Sequence, residues 1–217
     1  MKKIIKMASK ISIFKTIYYN VFSNKVKRDK KCYLIIFKGA ILELKKGSKI
    51  IVKNKNLCLG TNKLKGSKAE TLIRLEKNAK WISNNGGGLS YSTTIELKEN
   101  AVLTTGFFTI NTGTVIICKK KIDIGDDVMV GRNNLIYDSD FHKIYTKEKN
   151  ICEEQKNVTI GNHVWITSNV TILKGVNIGD NAIISPQSVI RNDVESNSFC
   201  GDLKQHQIFS NEREWQR

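Results

Sequence analysis

The sequence predicts an all-β fold in which short parallel strands wind into a three-sided coil and successive coils stack. Three observations carry this. β-Branched residues recur every six positions in the second half of the chain, a small or β-branched residue stands two positions before them from 158 to 194, and Gly, Asn or Asp marks the turns. A period of six does not fit a helix, which repeats every 3.6 residues. It suits short strands joined by corners, three to a coil.

Composition sets the outer limits. The chain has 217 residues, 40% hydrophobic and 26% charged, which fits a folded domain. Its longest apolar run, Cys32 to Phe37, is far short of the ~20 residues needed to span a bilayer, and no signal peptide is visible. Five scattered cysteines without a C-x-x-C pair exclude a disulfide framework and a structural zinc site, and point to a reducing cytoplasm. Residues 1–80 hold 22 Lys/Arg against 4 Asp/Glu, a balance of +18, while the remainder holds 14 against 16. A basic surface attracts polyanions or anionic lipid, although plain solvation by a Lys- and Asn-rich composition explains it equally well. No motif or aromatic stacking pattern indicates nucleic acid.

The first element, within residues 1–30, is a basic amphipathic helix. Ile4, Met7, Ile11, Phe14, Tyr18 and Val21 recur at steps of three and four, with lysines elsewhere. Such a helix either packs on its own domain or, through residues 1–24, touches the inner face of the cell membrane.

Residues 31–200 form the coil, followed by a tail at 201–217. Six segments share one pattern of apolar, any, apolar, two further residues and a turn residue. They are Leu42–Leu44 with Gly47, Ile73–Leu75 with Asn78, Ile95–Leu97 with Asn100, Ile122–Ile124 with Asp127, Val158–Ile160 with His163, and Val176–Ile178 with Asn181. Finer hexads run through Ile124, Val130, Ile136, Ile160, Ile166, Ile172, Ile178, Ile184 and Ile190. A single proline in 217 residues agrees with strands that each need their N–H groups.

The run Ile160-Gly161-Asn162-His163-Val164-Trp165-Ile166, with Ile172-Leu173-Lys174-Gly175-Val176-Asn177-Ile178-Gly179-Asp180, resembles the hexapeptide-repeat acyltransferases, and within them the subgroup that acetylates sugars, capsule units and some antibiotics. The resemblance is close over 120–200, loose over 40–120 and absent before about 35. It implies a left-handed parallel β-helix, acetyl-CoA as acyl donor, no metal, a saccharide acceptor such as a cell-surface polysaccharide or its precursor, and a homotrimer with sites between chains.

His142 is the candidate general base. Asp138 and Asp140 precede it, and in extended chain positions 138, 140 and 142 point the same way. A carboxylate beside imidazole fixes its tautomer and raises its basicity. Position 142 is also in phase with the inward Ile124 and Ile160. An ionisable ring does not belong in a dry core, so the coil is expected to break here and extrude a polar loop over 143–157. A histidine after Asp-x-Asp is by itself also compatible with a satisfied turn residue. Relatives of the resembled family place their base at the matching position; whether Asp138, Asp140 or a backbone carbonyl supports it stays open.

Trp165 is expected to face outward, walling a groove or packing on a neighbouring subunit. By resemblance, Ser168 hydrogen-bonds near the thioester, Ser185, Pro186 and Ser188 line the pantetheine arm, and Arg191 and Lys204 meet phosphate. Pro186, in place of the family's glycine-rich step, lacks an N–H for that contact. Asn111 is a candidate acceptor contact or a corner residue. Two other classes were weighed. A zinc lyase needs three clustered histidines, whereas His142, His163 and His206 are scattered. A non-catalytic protein binding polyanions or a membrane surface would draw on the basic first third.

Overall fold

Alternating inward apolar residues give short strands, and the corners between them stack them into three parallel sheets of 7, 8 and 7 strands. The computed structural model describes residues 10–145 and 152–201. Ile4, Met7, Lys204, His206 and the centre of the expected loop lie outside the described residues.

The hexads resolve into three columns. Ile124, Ile160 and Ile178 pair along the first sheet, Val130, Ile166 and Ile184 along the second, and Ile136, Ile172 and Ile190 along the third. All are buried in one core, as are Val158, Val164, Val170, Val176 and Ala182 two positions earlier. Each buried Ile or Val stabilises the coil by roughly 1.5–3 kcal/mol. Among the turn residues, Gly47, Asn78, Asn100, Asp127, His163 and Asn181 all have positive φ, between 54° and 76°. Gly and Asn reach that region readily, which is why they punctuate the repeat.

The six repeat segments do not form one column. Leu42–Leu44, Ile73–Leu75 and Ile95–Leu97 stack in the third sheet, whereas Ile122–Ile124, Val158–Ile160 and Val176–Ile178 stack in the first. All three sides of the coil demand the same inward alternation, so the local pattern cannot distinguish one side from another. The earlier coils also hold larger side chains. They enclose Trp81, whose indole N–H donates to Thr105 Oγ1 at 3.2 Å, and Phe108, with ring centroids 6.2 Å apart. Phe108 fits because Gly87 (φ 133°) has no side chain: a Cβ there would lie 2.3 Å from Phe108 O.

The N-terminal helix, Ile13–Ile17 continuing as a wider π turn over Tyr18–Phe22, closes the open end of the coil. It does so with its polar side. Asn20 exchanges two hydrogen bonds with the backbone of Leu34, and Thr16 Oγ1 accepts the Ile36 N–H at 3.1 Å. Lys15 Nζ donates to Ala40 O at 2.9 Å, and Tyr19 Oη donates to Leu42 O at 3.4 Å. These are unpaired edge groups of the second and third sheets, and satisfying them prevents strand addition at the end of the stack. The apolar side is left outward: Phe14 is 90% exposed, Val21 65% and Phe22 74%. The coil's first strand, Val26–Arg28, then begins before residue 31. Among the described residues no helix is long and apolar enough to cross a membrane.

Candidate active site

The coil is interrupted where the sequence places His142. The third-sheet strand Leu135–Tyr137 is followed by an outgoing arm, and the chain rejoins the first sheet only at Val158, paired with Ile122. The base of the arm is antiparallel. Ser139 bridges Gln155, Asp140 N–H donates to Glu154 O at 2.9 Å, Lys156 N–H to Asp138 O at 2.9 Å, and Cys152 N–H to Ile144 O at 2.8 Å. Two lysines fasten the arm to the scaffold. Lys119 pairs with Glu154, and Lys174 pairs with Asp140 while also donating to Glu153 O at 2.5 Å.

The three candidate residues end up in three environments. Asp138 is fully buried in the corner. Its Oδ1 accepts the Lys119 N–H at 2.7 Å, and Oδ2 accepts those of Lys120 and Lys121 at 2.7 and 2.8 Å. The Cys118 thiol donates to the same oxygen at 3.3 Å; burial, helped by the Asp138 charge, pushes that thiol's pKa far up. Asp140 is partly exposed and held by Lys174, and His142 is exposed. Neither carboxylate bonds the imidazole. The extended alternation expected over 138–142 fails at Phe141, whose φ of 61° turns the chain.

A groove of about 680 Å³ lies between the arm and the outer side of the third sheet, with Phe141, the residue before His142, in its lining. Phe141 and Gln155 line it from the arm; Ile117, Lys119, Glu76, Lys98 and Glu99 line it from the coil. Sequence reasoning missed this groove, because its residues come from three coils and the arm. Only the aromatic at position 141, adjacent to the candidate base, hinted at it.

The other candidates occupy a different corner, between the second and third sheets. Ser168 Oγ accepts the Arg132 N–H at 3.2 Å, and on the next rung the Gln187 N–H donates to Ser168 O at 3.1 Å, directly after Pro186. Ser188 is buried, its hydroxyl donating back to Ser185 O at 2.8 Å and lying 2.9 Å from Ser185 Oγ. Asn111 is exposed at this corner two coils earlier, its N–H donating to Val130 O. Trp165 is 46% exposed on the second sheet, paired between Met129 and Ile183. Arg191 returns to the corner of the arm, lining a depression of about 230 Å³ with Asn192. One chain therefore pairs Asp140, two residues before His142, with Lys174, and separately brings Ser168, Ser185 and Pro186 together. It does not bring the two sets together. Among the described residues no group of three or more potential metal ligands occurs.

Residues 157–192, the coils directly after the arm, match the family model described as bacterial transferase hexapeptide (six repeats). These coils are hexapeptide repeats. The chain is 45% identical over 69 residues to the polysialic acid O-acetyltransferase of Neisseria meningitidis, covering 31% of this chain and 32% of that protein. It is 32% identical over 108 residues to the galactoside O-acetyltransferase of Escherichia coli K12, covering 50% of each. It thus spans half or less of the length of these two relatives. Among solved structures, that of the polySia-specific acetyltransferase NeuO is similar at 20% identity and a TM-score of 0.47, covering 89% of this chain and 93% of that one.

Proposed function

We propose that this protein is an acetyl-CoA-dependent acetyltransferase that modifies a hydroxyl, or an amine, of a saccharide, with His142 as general base. The observation that carries the reading is the exposed imidazole of His142 on the one arm that interrupts the coil among the described residues, next in sequence to Phe141, which lines a groove large enough for a sugar. His142 takes the proton from the acceptor hydroxyl as its oxygen attacks the thioester carbonyl. The tetrahedral intermediate then collapses, the C–S bond breaks, and the departing coenzyme A thiolate receives the proton. Ser168 supports the oxyanion. Its oxygen already accepts the Arg132 N–H, so its own O–H is available to donate, a contribution of a few kcal/mol when preorganised.

Because His142 and Ser168 occupy different corners, the reading needs a second copy whose Ser168 corner faces the first chain's arm, as in a homotrimer. Exposed Met129, Trp165 and Phe199 on the second sheet supply an apolar strip suited to such a contact. Ser185, Pro186, Ser188, Arg191 and Lys204 belong to the donor side of this site, and Asn111 to the acceptor side. Asp138 serves it indirectly, by holding the corner from which the arm departs.

The same reading places the protein in the cytoplasm, at the inner face of the membrane. What supports this is the inverted helix, polar side on the coil and apolar side outward, in a segment rich in lysine. The test of the activity is to mix the protein with acetyl-CoA and a panel of saccharides and follow free thiol. Release that depends on the saccharide supports the reading; none with any acceptor, above hydrolysis, overturns it.

A further inference from the structure

The groove lined by Phe141 and Gln155 carries three features that bear on what it can hold. The first is Phe141. An aromatic residue at a φ of 61° is unusual, since that region costs a side chain with Cβ about 1–2 kcal/mol. Other corners of this chain fill it mostly with Asn or Gly. The ring is held edge-on to Tyr137 with centroids 5.8 Å apart, so it is a fixed wall and not a loose loop residue. Aromatic faces take the C–H face of a pyranose ring.

The second is Gln155. Its Oε1 is buried and has no hydrogen-bond partner, although the residue lines the groove. A buried acceptor without a donor is costly and is ordinarily completed by protein, water or ligand. An O–H donor is its complement.

The third is charge balance. Lys98 lies 3.7 Å from Glu76 and 3.0 Å from Glu96, Lys119 pairs with Glu154, and Glu99 lies 3.3 Å from Lys77. The groove's cations and anions are matched, so it offers hydrogen bonds in both senses and no net field to attract a carboxylate. This contrasts with the surplus of lysine in residues 1–80.

We infer that this groove seats a neutral pyranose unit of the acceptor, its ring against Phe141 and one hydroxyl donating to Gln155 Oε1 once that side chain turns its buried oxygen into the groove. Calling that unit the acceptor rests on the acetyl-transfer reading; its binding does not. The experiment is equilibrium binding by ligand-observed NMR, without acetyl-CoA, of methyl galactopyranoside and methyl glucopyranoside, with methyl glucuronide as the anionic counterpart. Wild type binds at least one neutral glycoside more tightly than the glucuronide. Phe141→Asn, which keeps a residue suited to positive φ, and Gln155→Leu, which removes the acceptor, each raise Kd about tenfold. Both variants fold, because neither removes a bond that the coil uses, and unchanged melting temperatures verify this. Binding of the glucuronide in preference, no binding of either neutral glycoside, or wild-type Kd in both folded variants overturns the inference. If saccharide-dependent thiol release occurs while both variants keep the wild-type KM, the groove assignment falls and acetyl transfer stands. If neutral glycosides bind with the expected losses but no thiol is released, the groove stands and acetyl transfer falls.

Discussion

Asp138 stands four residues before His142 and serves the other side of the chain: its carboxylate accepts three consecutive backbone N–H groups, from Lys119, Lys120 and Lys121, at 2.7 to 2.8 Å. Three charge-assisted bonds to one buried carboxylate close the corner below the arm. Asp138→Ala strands those donors and is expected to destabilise the protein by about 3 kcal/mol. Denaturant unfolding checks this. A loss of activity with no loss of stability would instead make Asp138 a direct participant in the reaction.

Lys174 reaches across from a neighbouring rung to Asp140 and to Glu153 O, tying the two strands of the arm together. Replacing it by Met leaves the core intact, so global stability falls by less than about 1 kcal/mol. The arm, however, loses its fastening. Hydrogen exchange over 139–156 is expected to accelerate while that over 158–190 stays unchanged, with a parallel fall in turnover.

The outward side of the helix predicts a separation of roles. Phe14→Ser combined with Phe22→Ser removes apolar area that is mostly exposed, so unfolding free energy stays within about 0.5 kcal/mol. Wild type is expected to co-sediment with phosphatidylglycerol-containing vesicles and not with phosphatidylcholine alone, and the double variant with neither. Equal retention of variant and wild type would show that the helix is not the contact.

The division of candidate residues between two corners makes subunit mixing informative. His142→Ala and Ser168→Ala homo-oligomers are each impaired, but a hybrid carries some interfaces in which an intact His142 meets an intact Ser168. Unfolding and refolding the two together is expected to recover roughly a quarter of the wild-type sites. Recovery of none would confine each site to a single chain.

Acid pH weakens a specific corner. The Asp126 carboxyl is held below its ordinary pKa, chiefly by the Asn85 side-chain amide and also by the Phe107 N–H at 2.6 Å. A lowered folded-state pKa means stability that is present above the ordinary carboxylate range and lost as pH falls through the folded value. Asp126→Asn should therefore flatten the acid limb of the stability curve, measured by melting temperature below neutral pH.

Much of the coil was legible because its constraint is local. From Val158 onward the inward slots hold β-branched or small residues, so Ile160, Ile166 and Ile172 announce their own burial, and the corner residues Asn78 and Asn181 announce their positive φ. What stayed hidden depends on neighbours distant in sequence. The sides of the coil share one pattern, so Leu44 and Ile124 read alike yet belong to different sheets. The arm was legible at His142, since an ionisable ring in an inward phase forces a break. The orientation of Asp138 was not, because a single left-handed residue, Phe141, ends the extended alternation on which that expectation relied. The helix was read from its apolar spacing, but which side meets the coil is decided by the edge groups of Leu34 and Ile36, which no spacing reveals.

The most direct measurement is acetyl transfer by His142→Ala, prepared as a folded protein and supplied with saturating acetyl-CoA and the best saccharide found for wild type. A fall in kcat of about 10² or more, with the melting temperature unchanged, is the predicted result. Turnover close to wild type in that folded variant would remove the imidazole from the reaction and contradict the account.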